Sequence, residues 1–201
     1  MAKKLLTLIL SVCLIFLLLG LLPVHGEEKI YSSVIRLHVL ANSDSEADQA
    51  LKLKVRDRIL NECSELFSKA SSKDQAEKII SSAIADIEAI AEDEILNEGY
   101  CYPVSVTLSE EEYPTRSYES IAFPRGEYLS LRIMIGDAEG ENWWCVLFPP
   151  LCLDAAKANS AEDAFISVGL NTEEYKIITE TDNPKYKIRF KILEAIRGIG
   201  N

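Results

Sequence analysis

"YSSVIRLHVLANSDSEADQALKLKVRDRIL", residues 31–60, contains a change of period that sets the fold class. Across 31–41, Ile35, Leu37, Val39 and Ala41 occupy every second position, with Arg36 and His38 on the opposite face, as in a strand with one buried side. After Asn42 the spacing lengthens to three and four. Leu51, Val55, Ile59, Cys63 and Leu66 then form the stripe of a helix over about 46–69. Ser43 and Glu46 have the spacing of a capping box at its start.

Ser71-Ser72-Lys73 interrupts that stripe, and Ser72 with Gln75 caps a second helix over about 74–97. Its apolar face is Ala76, Ile80, Ala83, Ile87 and Ile90, and Gly99 stops it. Two helices joined by so short a break pack as antiparallel neighbours. Strand patterns follow at 100–108, at 127–135 and at 142–148, with a weaker one at 116–123. Gly136–Glu141 reads as a hairpin connection. The expected fold class is therefore α+β: a two-layer domain with a mainly antiparallel sheet and an α-helical hairpin packed on one face. Beyond Leu153 the pattern implies a short helix over 160–169 and a short strand at 176–179. Residues 184–197 read as a helix from their length and initial proline, although Lys185, Lys187, Arg189 and Lys191 also alternate as in a strand.

The N-terminus has a different character. Lys3 and Lys4 precede Leu5–Leu22, eighteen residues without a charge, and then Pro23-Val24-His25-Gly26. Val24 and Gly26 suit the −3 and −1 positions of a signal-peptidase cut after Gly26; the alternative is a retained membrane anchor. Both readings export residues 27–201 as one domain, and membrane contact then runs only through 5–22, if they are kept. The chain carries a net charge of −11, and 27–201 carries −13, a surface that repels nucleic acid and anionic lipid.

Ordinary catalytic and metal patterns are absent. His38 is the one histidine after Gly26, it neighbours Arg36, and no acid lies at local spacing to orient it. One such histidine and scattered cysteines do not make a zinc motif. Asn42, Asp44, Glu46 and Asp48 alternate like a calcium loop, but its sixth position is Ala47 and its twelfth is Leu53, so capping and the helix dipole account for them better. No glycine-rich phosphate loop is present, and no cofactor or metal is expected.

The stretch "NWWCVLFPPLC", 142–152, is apolar on both strand faces: Trp143, Cys145 and Leu147 on one, Trp144, Val146 and Phe148 on the other. One face meets the helices. The second needs cover from residues 149–153, from the C-terminal region or from a partner. Trp143, Trp144, Phe148 and Pro149 are accordingly candidates for an interface or for core, and Arg36, His38, Asn42 and Asp44 form a second candidate patch. Cys145 and Cys152 are a candidate disulfide, or a buried free pair; closing the loop past Pro149-Pro150 requires a tight turn or a cis proline.

"RLHVLANSDSEADQALKLKVRDRIL" (36–60), "GEYLSLRIMIG" (126–136) and "GENWWCVLFPPLC" (140–152) resemble the stage II sporulation protein R family, over about 31–153, with 154–201 as a C-terminal extension. The resemblance implies an exported intercellular signalling protein made in the forespore. It would act in the space between forespore and mother cell on a membrane-embedded aspartic protease, leading to processing of a mother-cell sigma-factor precursor. The resemblance carries over no catalytic residues, and the missing base-and-orienter set in the sequence favours a ligand over an enzyme. The competing class is an exported hydrolase acting on cell wall or protein.

Overall fold

Along the chain come α1 (Glu27–Ser33), β1 (Ile35–Leu40), α2 (Glu46–Glu62), α3 (Lys73–Asn97), β2 (Val104–Tyr113), β3 (Arg116–Tyr118), β4 (Ile121–Phe123), β5 (Gly126–Ile135), β6 (Asn142–Phe148) and α4 (Thr172–Thr179). The computed structural model describes residues 27–63, 65, 66, 69–118, 121–151, 165, 166 and 170–179, with Lys4 and Ser11 besides. The helix expected over 184–197, almost all of the leader segment and Cys152 lie outside the described residues. Among the described residues, no helix is long and apolar enough to cross a membrane.

The main sheet has the order β2-β5-β1-β6, with β3 and β4 paired separately. It is mixed but mainly antiparallel: β1 runs parallel to β5, and the β1–β6 and β2–β5 pairs are antiparallel. The expected hairpin at 136–141 is absent. β1 lies between β5 and β6, so this connection crosses the end of β1 instead of closing a ribbon. Alternation reveals the two faces of a strand but not its neighbours. The central position of β1 explains why all six of its residues are buried, Arg36 and His38 included.

The crossover is held by polar groups at the end of β1. Gly140 N–H donates to the Ala41 carbonyl (3.0 Å) and Glu139 N–H to that of Asn42 (3.3 Å). The Asn42 side chain accepts from Asp137 N–H (3.0 Å) and donates to Asp48 (2.9 Å), and Asp44 accepts from Glu141 N–H (2.6 Å). Gly136 has φ +60°, and a Cβ there would fall 2.1 Å from Asn42 Oδ1.

α2 begins at Glu46, as expected, but its capping residue is not Ser43. Ser45 is the N-cap and accepts from Asp48 N–H, while the Ser43 hydroxyl donates to the Asp48 carboxylate. Its regular part ends at Glu62 rather than near 69, where Cys63 closes the last turn onto Ile59. The Ser72 cap of α3 is as expected. Leu51, Val55 and Ile59 of α2 meet Ala76, Ile80, Ala83 and Ile87 of α3 over the odd-numbered apolar residues of β1 and β5. Arg58 joins the two helices, reaching Glu62 (2.7 Å), Asp93 (2.7 Å) and Glu94 (3.1 Å).

The second sheet face is covered from within the chain. α1, the β3–β4 hairpin, Phe165, Leu170 and α4 pack against Tyr113, Tyr128 and Val146. Two expected strands are corrected here. The stretch 31–41 begins as helix, with strand only from Ile35, and 176–179 belongs to α4. Phe165 and Ile166 are helical, within the segment read as a helix at 160–169; most of that segment lies outside the described residues. Phe148 also changes sides. Ile35 pairs with Phe148 while Arg36 pairs with Val146, so a bulge at Leu147 turns Phe148 toward the helices.

A Cβ on Gly140 would approach the Ser43 carbonyl oxygen to 2.3 Å. Because that contact is with backbone, Gly140→Ala is expected to lower stability by about 1–3 kcal/mol in urea unfolding. An unchanged midpoint would contradict the close approach of the crossover to the β1–α2 turn.

Candidate functional site

Hydrogen bonds on the second face tie all four strands. Tyr113 of β2 bonds Ser130 of β5 (2.6 Å). Both Glu111 oxygens lie near His38 Nδ1 on β1 (2.9 and 3.1 Å), and His38 Nε2 meets Asn142 Oδ1 on β6 (2.8 Å). The register makes this possible, since His38 stands opposite Arg132 on one side and Trp144 on the other. The His38 ring stacks on Trp144 at 3.7 Å and 14°. It is 3 % exposed.

Burial alone would raise the Glu111 carboxyl, but the His38 bond and charge outweigh it, with Ser130 and Arg132 helping, and hold it below the ordinary value. Burial pushes the Tyr113 hydroxyl well above its usual range. Sequence spacing left His38 without an orienting acid; the fold supplies one from 73 residues away. With both ring nitrogens engaged, the partners of His38 are a carboxylate and an amide, and a nucleophile is not among them.

Arg36 is fully buried. Its Nε donates to the Cys145 carbonyl (3.1 Å) and its Nη2 to Tyr118 (2.7 Å). The guanidinium carbon lies 4.4 Å from the Tyr113 ring centre, 4.9 Å from that of Phe123 and 5.1 Å from that of Tyr128. These π faces surround the cation where a carboxylate would be usual, and Nη1 has no hydrogen-bond partner.

The predicted patches thus separate. Arg36 and His38 lie inside the second face, and Asn42 and Asp44 secure the crossover. Trp143 is half-buried on the helical side, beneath Arg56 at 4.6 Å. Trp144 is half-buried on the other side, with Arg116 at 5.3 Å from its ring. Phe148 and Pro149 are buried, and the bond between them is cis. Cys145 is disulfide-bonded, whereas Cys63 and Cys101 are free. Burial pushes the Cys63 thiol up to about 11.

Glu111, Ser130, Asn142 and Tyr113 escaped the sequence reading. The available signal was parity, for Glu111 and Tyr113 share the face of β2 opposite Val104 and Val106. Asp48 and Lys52 were missed as buried charges. Asp48 is held low by bonds from Ser43 and then Asn42, and Lys52 is lowered by burial while donating to Gln49 (2.5 Å) and the Glu141 carbonyl (2.7 Å). Among the described residues, no group of three or more His, Cys, Asp or Glu is placed to hold a metal ion.

Fold and site together define an α+β domain whose central strand carries buried cationic and imidazole groups tied into its neighbours. The sequence profile of stage II sporulation protein R (spore_II_R) matches residues 31–158. Stage II sporulation protein R of Bacillus subtilis (strain 168) is 38 % identical over 135 residues, which cover 67 % of this chain and 60 % of that protein. The chain belongs to the stage II sporulation protein R family, which gives it a role in sporulation. No solved structure matches it.

His38→Gln removes the largest influence holding Glu111 low, so the Glu111 carboxyl should titrate at higher pH in the variant, as read by carboxyl NMR. The sign for stability follows. A depressed folded pKa stabilises above the unfolded value, about 4.5, and that contribution is lost as pH falls through the folded value. The acid limb of the His38→Gln stability curve should therefore be shallower. An unmoved Glu111 titration would remove His38 as its partner.

Proposed function

We propose that this chain is an exported signalling protein of spore formation. It activates a membrane-embedded aspartic protease by binding it, in the space between forespore and mother cell. The protease then processes the precursor of a mother-cell sigma factor. Family membership supports the sporulation setting. The charge-free run after Lys3-Lys4 and the disulfide at Cys145 support an oxidising compartment outside the cytoplasm.

The observation that favours a ligand over an enzyme is the closed environment of His38. It is buried, and its ring nitrogens are taken by Glu111 and Asn142. The half-buried Trp143 and Trp144 offer aromatic area of the kind that anchors protein interfaces, and Phe148 and Pro149 are buried behind them in the chain. The hydrolase reading draws on one feature, the His38–Glu111 pair, which is a base with an orienting carboxylate.

The test uses residues 27–201 added to vesicles that hold the protease and its precursor substrate. Cleavage is expected only when the domain is present, and Trp143→Ala should reduce it at least tenfold, about 1.4 kcal/mol or more of lost contact. Trp143→Ala is the cleaner variant, because Trp144 also supports the His38 ring. Equal cleavage with and without the domain would overturn the reading. Hydrolysis of wall or protein substrates by the domain alone, lost in His38→Gln, would establish the enzyme instead.

A further inference from the structure

Among the described residues, main-chain hydrogen-bonding groups go without partners along the outer edge of β2. β2 is the terminal described strand of the sheet, and its described strand partner is β5. Val106 N–H donates to Glu88 of α3 (3.2 Å), which places that N–H on the side away from β5. Pro103, of opposite parity, accepts from Gly136 at the end of β5. Alternation then turns the N–H and C=O groups of Leu108, Glu110 and Glu112 outward.

α3 caps this edge at Val106, and among the described residues no group continues the capping. From Leu108 to Glu112, no hydrogen bond is made on the outer side among the described residues. Ser109, Glu110 and Glu112 are exposed, and Leu108 and Glu111 are half-buried. Five residues of open strand extend for roughly 16 Å.

The charges select the occupant. Glu110 and Glu112 project on the same side of the strand, two residues apart. A second copy pairing through this edge would set glutamate against glutamate, so the edge rejects self-association. Glu110 has no ion pair, and the Glu112–Arg125 contact (3.1 Å) is about 70 % exposed on both sides, so it exchanges readily. Lysine or arginine at alternate positions of an incoming strand would convert both glutamates into cross-strand partners.

We infer that the outer edge of Leu108–Glu112 binds, by β-strand addition, an extended segment of a partner protein with cationic residues at alternate positions. The main chain supplies the affinity and the glutamates supply the selection. The inference does not rest on the protease reading, since any partner with such a segment meets the same edge.

The test uses the full chain, 15N-labelled in detergent micelles, titrated with acetyl-Lys-Thr-Lys-Val-Lys-Thr-amide and with its counterpart carrying Glu for Lys. The cationic peptide should produce saturable shifts at Leu108, Glu110 and Glu112 and slow their amide exchange about tenfold or more. The acidic peptide should do neither. Glu110→Pro removes an outward N–H without touching the β5 ladder and should abolish the effect. The double variant Glu110→Lys, Glu112→Lys should exchange the preference for the acidic peptide, and this arm decides the matter if the proline variant fails to fold. Shifts located elsewhere, unsaturated binding, a proline variant that binds like the parent, or an unchanged preference in the double variant would each overturn the proposal.

Discussion

β1 is the central strand, and it carries an arginine and a histidine on the face it turns away from the helices. Water cannot solvate either one where it stands, and a buried polar group without partners costs several kcal/mol. The remaining strands must therefore bring partners to them. β2 contributes Glu111 and Tyr113, β5 contributes Tyr128, β6 contributes Asn142 and the Cys145 carbonyl, and the β3–β4 hairpin contributes Tyr118 and Phe123. A slip of one residue in any pairing would send these groups to the other face and strand Arg36 in hydrocarbon. The polar face thus specifies register, while the helical face, mainly aliphatic, supplies most of the burial.

The same economy operates at the end of β1. Asp48 sits in the first turn of α2, yet it is buried and accepts from Asn42 and Ser43. Asn42 holds the crossover through Asp137, and Lys52, one helical turn after Asp48, holds it again through the Glu141 carbonyl. One short acidic turn therefore joins strand, helix and crossover. That is why β6 can return beside β1 rather than beside β5, to which the chain connects it.

Sequence reading recovered the elements governed by local period. The stripes of α2 and α3, the Ser72 cap, the alternation of β5, that of β6 up to its bulge and that of β2 over Val104–Leu108 are written in spacing that depends on one segment at a time; β2 itself runs on to Tyr113, past the expected end at 108. What it missed depends on pairing at a distance. The hairpin at 136–141 failed because β1, distant in sequence, occupies the middle of the sheet. Phe148 was placed on the wrong face because a bulge against Ile35 is invisible within β6 alone. Glu111 was missed as the partner of His38 because no local rule joins residues 73 apart. Arg36 was read on a polar face; its aromatic surroundings come from four different elements.

These constraints bear on how such a domain meets another protein. Its buried polar groups are largely committed to holding strands together, so altering them perturbs register along with any contact they serve. Groups free to engage a partner lie at the margins. Trp143 stands on the edge strand beside α2, with Arg56 across its ring, and β2 forms the opposite margin. The two tryptophans differ in this respect despite being adjacent. Trp144 is half of a stack with the central histidine and transmits to the strand network, whereas Trp143 packs at the rim of the helical core. A partner that presses on Trp144 would act on His38 and Glu111 as well, and one that engages Trp143 alone would leave them undisturbed.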